Sequence, residues 1–192
     1  MSVCSIGRKR GKPLLVSKAR KLSLFFGLFL CFVSRCGGAD VQVYFSPNGG
    51  ATDAIVQEIN CAKREVLVQA YEFTSLPIAN ALCAAKARGL RVEAILDRRD
   101  LRAGHEAVSL LETSSIPILV DQAVRIAHSK IMIIDAKEII TGSFNFTNAA
   151  EHYNSENLLI LKNDPALLLK YLKNYQQRHD QSRVLSSKSI QP

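Results

Sequence analysis

The order of apolar patterns along the chain is the feature that most restricts its fold. From residue 41 to residue 120, short strand-like runs alternate with segments whose apolar residues recur at helical spacing. The predicted strands in this stretch are residues 41–45, 66–71, 92–96 and 116–120, and the predicted helices are residues 53–63, 77–88 and 103–113. Strands that alternate with helices are typical of parallel strands covered by helices.

The pattern changes after residue 128 and becomes richer in strands. The predicted strands are then residues 130–134, 138–141 and 158–161, the first two joined by a tight turn at 135–137. Asp164 and Pro165 form a suitable N-cap and first helical position for a last helix, which runs to about residue 179. We therefore predict one α/β domain, a layered α/β/α sandwich with a mixed β-sheet.

Residues 1–39 have the composition of a secretory signal peptide. They contain eight Lys or Arg and no Asp or Glu, an apolar run of twelve residues at 22–33, and small residues up to Ala39. Twelve apolar residues are fewer than the roughly 17–25 of a membrane-spanning helix, although an uncleaved N-terminal anchor is the alternative. We predict a signal peptide at 1–39, a catalytic domain at 40–182, and a disordered polar tail at 183–192. The mature protein is then periplasmic or secreted.

Global charge does not identify a substrate. The net charge of +8 belongs to the leader, because the rest of the chain contains 17 basic and 17 acidic residues. Removal of the leader would leave two cysteines, Cys61 and Cys83. An oxidising compartment permits a disulfide between them, and burial of both as small apolar residues is equally compatible with the sequence.

The segment from His128 to Asp135 carries the chemistry that the sequence indicates. Residues two apart on a strand share a face, so His128 and Lys130 should project side by side. An imidazole can attack phosphorus, and an ammonium group can stabilise the charged oxygens of the transition state. Asp135 ends the apolar strand that follows, and we interpret it as structural.

Polar residues further along the chain complete a possible phosphate site. Gly142 allows close backbone approach, and Ser143 and Asn145 can donate hydrogen bonds to phosphate oxygens. Ordinary turn residues are the alternative interpretation of Ser143 and Asn145. A carboxylate at Glu156 could accept a hydrogen bond from the imidazole and fix its tautomer.

The pattern H-x-K-x4-D followed by G-S-x-N resembles the signature of the phospholipase D superfamily. The matching residues are His128, Lys130, Asp135, Gly142, Ser143 and Asn145, with further similarity to small bacterial endonucleases at 45–47, 70–74, 84–89 and 154–157. The resemblance implies a phosphohistidine intermediate at His128, phosphate binding by Lys130, Ser143 and Asn145, and orientation of His128 by Glu156. Asp135 and Gly142 belong to the motif and are interpreted as structural.

The resemblance also implies an assembly, because family members of this kind use two copies of the motif and this chain has one. We expect a homodimer in which one His128 is the nucleophile and the other is the general acid. Metal-ligand spacing is absent from the sequence, so neither a metal nor another cofactor is expected.

Three functions remain open at this point. The first is a metal-independent, non-specific endonuclease on DNA, with RNA as a second substrate. The second is a phospholipase D on membrane phospholipid or cardiolipin, and the third is a binding module without activity. Polar loops and basic groups favour nucleic acid; these groups are Lys63-Arg64, Lys86 with Arg88, and Arg98-Arg99 with Arg102. The cluster at 98–102 is equally compatible with a solvated loop.

Overall fold

The computed structural model describes residues 38–102 and 105–185, which form eight strands and six helices. The strands are β1 (Asp40–Phe45), β2 (Glu65–Ala70), β3 (Arg91–Leu96), β4 (Ile118–Asp121), β5 (Lys130–Ile134), β6 (Glu138–Gly142), β7 (Asn157–Lys162) and β8 (Ser182–Val184). The helices are α1 (Ala51–Cys61), α2 (Leu76–Ala87), α3 (Arg98–Arg102), α4 (Glu106–Thr113), α5 (Asn148–His152) and α6 (Pro165–Gln181).

All of these strands belong to one mixed sheet in the order β1-β7-β6-β5-β2-β3-β4-β8. The pairs β2–β3 and β3–β4 are parallel, and the other pairs are antiparallel. Parallel neighbours need a long crossover, which α2 and the α3–α4 segment provide. The β5–β6 hairpin turns at Asp135 and Ala136, whose positive φ values of 55° and 51° suit a tight turn between antiparallel strands.

Helices cover both faces of the sheet, which confirms the predicted α/β/α sandwich. On β2, Val66 and Val68 point into the larger core beneath α1, α2 and α4. The alternate residue Leu67 packs in a smaller core with Tyr175 of α6. The period of two along a strand therefore assigns successive residues of β2 to opposite layers.

The ordered domain extends beyond residue 182, which corrects the prediction for the start of the tail. Residues 182–184 form β8, in which Val184 pairs with Leu119 and Ser182 with Asp121 of β4. Without β8, the outer side of β4 would expose unpaired backbone N–H and C=O groups, and β8 supplies their hydrogen-bond partners. The polar composition of residues 182–184 gives no indication of this pairing. Residues 186–192, like the leader residues 1–37, lie outside the described part of the chain.

Smaller differences from the predictions concern short elements and the cysteines. The segment 98–102 is a short helix rather than a loop, α5 was not predicted, and the helix predicted from residue 103 begins at Glu106. Cys61 and Cys83 are free thiols; Cys61 is exposed and Cys83 is half-buried. In residues 38–102 and 105–185, no helix is both long and apolar enough to span a membrane.

Candidate active site

Five strand ends meet at one edge of the sheet and carry the candidate site. Strands β2 and β3 end there, β5 and β7 begin there, and β6 ends there with Gly142. Lys130, the first residue of β5, is paired with Ala70, the last residue of β2. The topology therefore brings His128 beside the segment that follows β2, and places Ser143, Asn145 and Glu156 on neighbouring connections.

His128 and Lys130 contact each other directly. The Lys130 Nζ lies 2.9 Å from His128 Nδ1 and donates to the His128 carbonyl oxygen at 2.8 Å. Lys130 is 6% exposed, whereas the His128 side chain is exposed to solvent. Burial lowers the pKa of Lys130, and the negative charges of Glu72 and Glu156 oppose that shift. An ammonium group can only donate, so this geometry assigns Nδ1 as the acceptor and the ring proton of neutral His128 to Nε2.

Ser143 and Asn145 lie at the same edge, each with an internal partner. The Ser143 Oγ accepts from the Asn157 backbone N–H at 3.0 Å, and Asn145 Nδ2 donates to Glu72 Oε2 at 3.3 Å. The Asn145 Oδ1 atom is buried and has no hydrogen-bond partner among the described residues. Asn145 therefore bonds to the carboxylate of Glu72, whose charge also acts on Lys130, and Ser143 lies on the connection that follows β6 at this edge.

Gly142 permits close approach of two strands. Its φ is 148°, and a Cβ atom at this position would lie 2.1 Å from the Asn157 carbonyl oxygen. That oxygen accepts from the backbone N–H groups of Ser143 and Phe144 at 3.0 and 3.2 Å. The neighbour that excludes a side chain at Gly142 is thus the backbone of β7, which fits a structural interpretation of this glycine.

Glu156 lies near Lys130 but forms no hydrogen bond with His128 among the described residues. Its Oε1 accepts from Asn154 Nδ2 at 3.2 Å, and its backbone N–H donates to Ser46 Oγ at 3.1 Å. Its carboxylate acts on the site through charge, because it raises the pKa of Lys130. Orientation of an imidazole by Glu156 therefore stays a prediction.

Asp135 lies at the opposite end of β5, away from this edge. Its carboxylate accepts from the backbone N–H groups of Lys63, Arg64 and Glu65 at 2.8, 2.7 and 3.0 Å. Burial tends to raise the pKa of Asp135, but these three hydrogen bonds and the Arg64 charge hold it below its usual value. Asp135 thus connects the start of β2 to the β5–β6 turn and does not contact the other motif residues.

Two residues at this edge, Tyr71 and Glu72, received no role from the sequence, and Arg99 was named there only as one of several basic groups. The Tyr71 ring packs on His128, Glu72 bonds to Asn145, and Arg99 donates to the Tyr71 hydroxyl at 3.3 Å. They follow strands β2 and β3, whose carboxyl ends meet at the edge that β5 joins. The sequence feature that could have identified Tyr71 and Glu72 is a polar segment directly after a buried strand. The proximity of that segment to His128 depends on the pairing of β2 with β5.

The described residues contain no cluster of three or more His, Cys, Asp or Glu side chains that could hold a metal ion. The groups at the edge are one exposed imidazole, one buried ammonium group, the carboxylates of Glu72 and Glu156, and the neutral hydrogen-bonding side chains of Ser143 and Asn145.

Comparison with known proteins identifies the family of the chain. A family model described as "Cardiolipin synthase, PLD-like domain" matches residues 55–179. The chain belongs to the phospholipase D superfamily. It is 38% identical over 146 residues to a phospholipase D of Rickettsia conorii, a match that covers 76% of this chain and 72% of that protein.

A solved structure supports the same assignment within the superfamily. The phospholipase D family member Nuc from Salmonella typhimurium superimposes with a TM-score of 0.72 at 38% identity, over 78% of this chain and 100% of Nuc. A mitochondrial cardiolipin hydrolase of Canis lupus familiaris is 29% identical over 119 residues, which is 62% of this chain and 47% of that protein. As a phospholipase D superfamily member, the chain is a hydrolase of phosphodiester bonds.

Proposed function

We propose that the chain is a metal-independent, non-specific endonuclease that hydrolyses DNA, with RNA as a second substrate, through a phosphohistidine at His128. The observation that carries the proposal is the exposed imidazole of His128 in contact with the buried Lys130 ammonium group. A nucleophile must reach phosphorus, and a fixed cation beside it stabilises the charge that develops on the phosphate oxygens.

The proposed reaction has two displacements at phosphorus. The lone pair of His128 Nε2 forms an N–P bond while the bond from phosphorus to the leaving oxygen breaks, and a second imidazole protonates that oxygen. Water then attacks phosphorus, the N–P bond breaks, and the second imidazole, now neutral, accepts the proton of the water. Lys130, Ser143 and Asn145 bind the phosphate oxygens during both steps.

Attack by Nε2 requires a change of tautomer from the substrate-free chain. There, Lys130 donates to Nδ1, so the ring proton of His128 is on Nε2. When a phosphodiester binds, Lys130 moves its hydrogen bond from Nδ1 to a phosphate oxygen, and Nδ1 becomes free to hold the proton. Nε2 then has the lone pair, and a carboxylate such as Glu156 is suited to accept from Nδ1–H.

The second imidazole comes from another subunit in this proposal. The chain contains one copy of the motif, and His105, His152 and His179 lack the Lys two residues later. Support for assembly comes from edge strand β1, where three alternate apolar residues are exposed: Val41 and Val43 at 51% and Phe45 at 66%. Alternate residues share one face of a strand, and an apolar face of this kind is typical of a protein interface. The active form should sediment at about twice the chain mass, and an active monomer would contradict the shared site.

Nucleic acid is the proposed substrate because the groups around the site are polar and basic. Arg98 and Arg99 are exposed on α3, and the Arg98 guanidinium donates to the Val124 carbonyl oxygen at 3.2 Å, on the connection that leads to His128. Cations spaced beside a phosphodiester site suit a strand that presents several phosphates. The resemblance of the sequence to small bacterial endonucleases adds to this support, together with the structural likeness to Nuc over the whole of that chain.

A phospholipase D activity is the second candidate function. It is favoured by the names of the relatives in Rickettsia conorii and Canis lupus familiaris, a phospholipase D and a mitochondrial cardiolipin hydrolase. Both substrate classes present one anionic phosphodiester, so the same His128 chemistry would serve either.

The test is a side-by-side assay of the purified protein on plasmid DNA, RNA, and vesicles of phosphatidylcholine or cardiolipin, with and without excess EDTA. We expect nicking of DNA without sequence preference, weaker cleavage at higher salt, and full activity in EDTA. H128A should lose about 10²–10⁴-fold or more in rate, whereas H152A, at an exposed histidine bonded to Asn48, should retain activity.

Three outcomes would contradict the proposal. Activity that EDTA abolishes and Mg²⁺ restores would refute the metal-independent mechanism. Activity in the H128A variant would show that His128 is not the nucleophile. If either lipid were turned over much faster than any nucleic acid, the chain would be a phospholipase D rather than a nuclease.

A further inference from the structure

The aromatic ring of Tyr71 contacts both members of the His128–Lys130 pair. The ring centroids of Tyr71 and His128 are 4.4 Å apart at an interplanar angle of 50°, and Lys130 Nζ lies 5.0 Å from the Tyr71 ring centroid. An aromatic face at this distance attracts a cation and packs against an imidazole. Tyr71 is the first residue after β2, so its backbone follows directly on Ala70, which is paired with Lys130 in the sheet.

Helix α3 holds the segment after β2 at two further points. The Arg99 guanidinium donates to the Tyr71 hydroxyl at 3.3 Å, and the Phe73 backbone N–H donates to Asp100 Oδ1 at 3.1 Å. Phe73 itself is fully buried and packs edge-on against Phe146 at 6.4 Å. Tyr71 therefore lies between a strand and an anchored aromatic residue, which restricts its movement.

His128 lies on a less regular segment. Residues 122–129 form neither a helix nor a strand, and the His128 side chain is exposed. Among the described residues, its ring has one hydrogen-bond partner, Lys130 Nζ at Nδ1. One hydrogen bond leaves the ring free to tilt about that contact, and a tilt moves Nε2 away from phosphorus. The proposed substrate-bound state also exchanges the Lys130 bond at Nδ1 for one to a carboxylate such as Glu156, and the packing on Tyr71 would then restrain the ring throughout this exchange.

We propose that Tyr71 is a positioning residue that holds the His128 imidazole, through its ring and not its hydroxyl, in the orientation needed at phosphorus. This inference rests on the proposed role of His128 as nucleophile and, in the second subunit, as general acid.

The first test separates the ring from the hydroxyl. Y71F loses the Arg99 bond to the hydroxyl but keeps the packing, the Lys130 contact and the anchor at Phe73, and it should retain kcat within about threefold. Y71L loses the aromatic face, and its kcat on a single-stranded oligonucleotide should fall about tenfold with KM within about twofold. Y153L is the matched control, because Tyr153 is exposed and also pairs with a histidine, His152, at 6.2 Å, whereas the aromatic partner of His128 and Lys130 is Tyr71. Y153L should have wild-type kcat.

The second test separates positioning from a general structural loss. In bis(4-nitrophenyl) phosphate the leaving group departs as an anion and needs no proton from the second His128. The kcat of Y71L should therefore fall only about threefold on this ester. It should fall further on the oligonucleotide, where both imidazoles act and both are mispositioned. A merely structural defect reduces the amount of active enzyme and lowers both rates by the same factor.

The outcomes distinguish this inference from the proposed function. If H128A abolishes activity while Y71L equals wild type, or if Y71L loses equally on both substrates, the positioning role is overturned and the nucleophile stands. If Y71F is as impaired as Y71L, the ring is not the operative group, which also overturns it. If H128A remains active, the proposed function fails first.

Discussion

Asp100 is a buried carboxylate whose replacement should change how stability depends on pH. It is 3% exposed, its Oδ1 accepts from the Phe73 backbone N–H at 3.1 Å, and its Oδ2 has no partner among the described residues. Burial raises the pKa of Asp100 from 3.8 to about 6, against the opposing effects of the Phe73 hydrogen bond and the nearby His105. D100N keeps an oxygen for Phe73 and removes the ionisable group.

The sign and size of the effect follow from the shift in pKa. Because the folded state holds the Asp100 proton more tightly than the unfolded chain, this contribution to stability is fully present below about pH 4 and is lost as the pH rises to about 6. A shift of about two units corresponds to about 3 kcal/mol. The free energy of unfolding of D100N relative to wild type should therefore rise by about 2–3 kcal/mol between pH 4 and pH 7.

Urea unfolding of wild type and D100N, followed by circular dichroism at intervals from pH 4 to pH 8, measures this difference. D100A is the control, because it also cannot ionise but leaves the Phe73 N–H without its partner. D100A should have the same pH dependence as D100N, with lower stability throughout by about 1–3 kcal/mol. A stability difference between wild type and D100N that is constant across this range would refute the reasoning.

Three further predictions concern the motif and the leader. D135N should lower the free energy of unfolding at pH 7 by about 1–3 kcal/mol, since an amide cannot accept all three backbone hydrogen bonds. Because the pKa of Asp135 is lowered in the folded state, the contribution of its carboxylate disappears as acid protonates it. An equal effect of D135N at pH 2 and pH 7 in urea unfolding would argue against this role. G142A should prevent normal folding, because its Cβ would lie 2.1 Å from the Asn157 oxygen, whereas G50A meets no atom within 4 Å and should cost only about 1–2 kcal/mol of backbone strain; thermal unfolding compares the two. N-terminal sequencing of exported protein should begin near Asp40, and a mature chain that retains the leader would instead favour the anchor.

The sequence predicted the layers of the fold because its periodicities are strong. Residues 131–134 are an apolar run and residues 66–71 are mostly apolar, as in strands inside a sheet, and the helix after Asp164 has its N-cap, whose side chain accepts from the Leu167 backbone N–H at 2.9 Å. The sequence could not predict β8, since Ser182–Val184 is short and polar and becomes a strand through pairing with β4. Short elements of this kind depend on tertiary contacts rather than on local pattern.

The candidate site was predictable as far as a local motif extends. His128 and Lys130 are two residues apart and contact each other as the strand period predicts, although β5 begins only at Lys130. Tyr71 and Glu72 precede His128 by more than fifty positions, so their proximity depends on the pairing of β2 with β5, which no local pattern specifies. The motif likewise gives no indication that Asp135 is bonded to the residues before β2, because that contact forms only when the sheet assembles.

The substrate-free site is held together by internal bonds that the proposed reaction must exchange. Lys130 donates to His128, Asn145 donates to Glu72, and the Ser143 hydroxyl accepts from Asn157. A bound phosphodiester would replace the first two of these partners with its own oxygens, so the number of hydrogen bonds changes little on binding. The binding free energy gained with the bound substrate is therefore small. The interactions become stronger in the transition state, where more charge develops on the phosphate oxygens, and this difference lowers the barrier. The internal bonds also keep the phosphate-binding groups in place before substrate arrives, which reduces the reorganisation that the reaction requires.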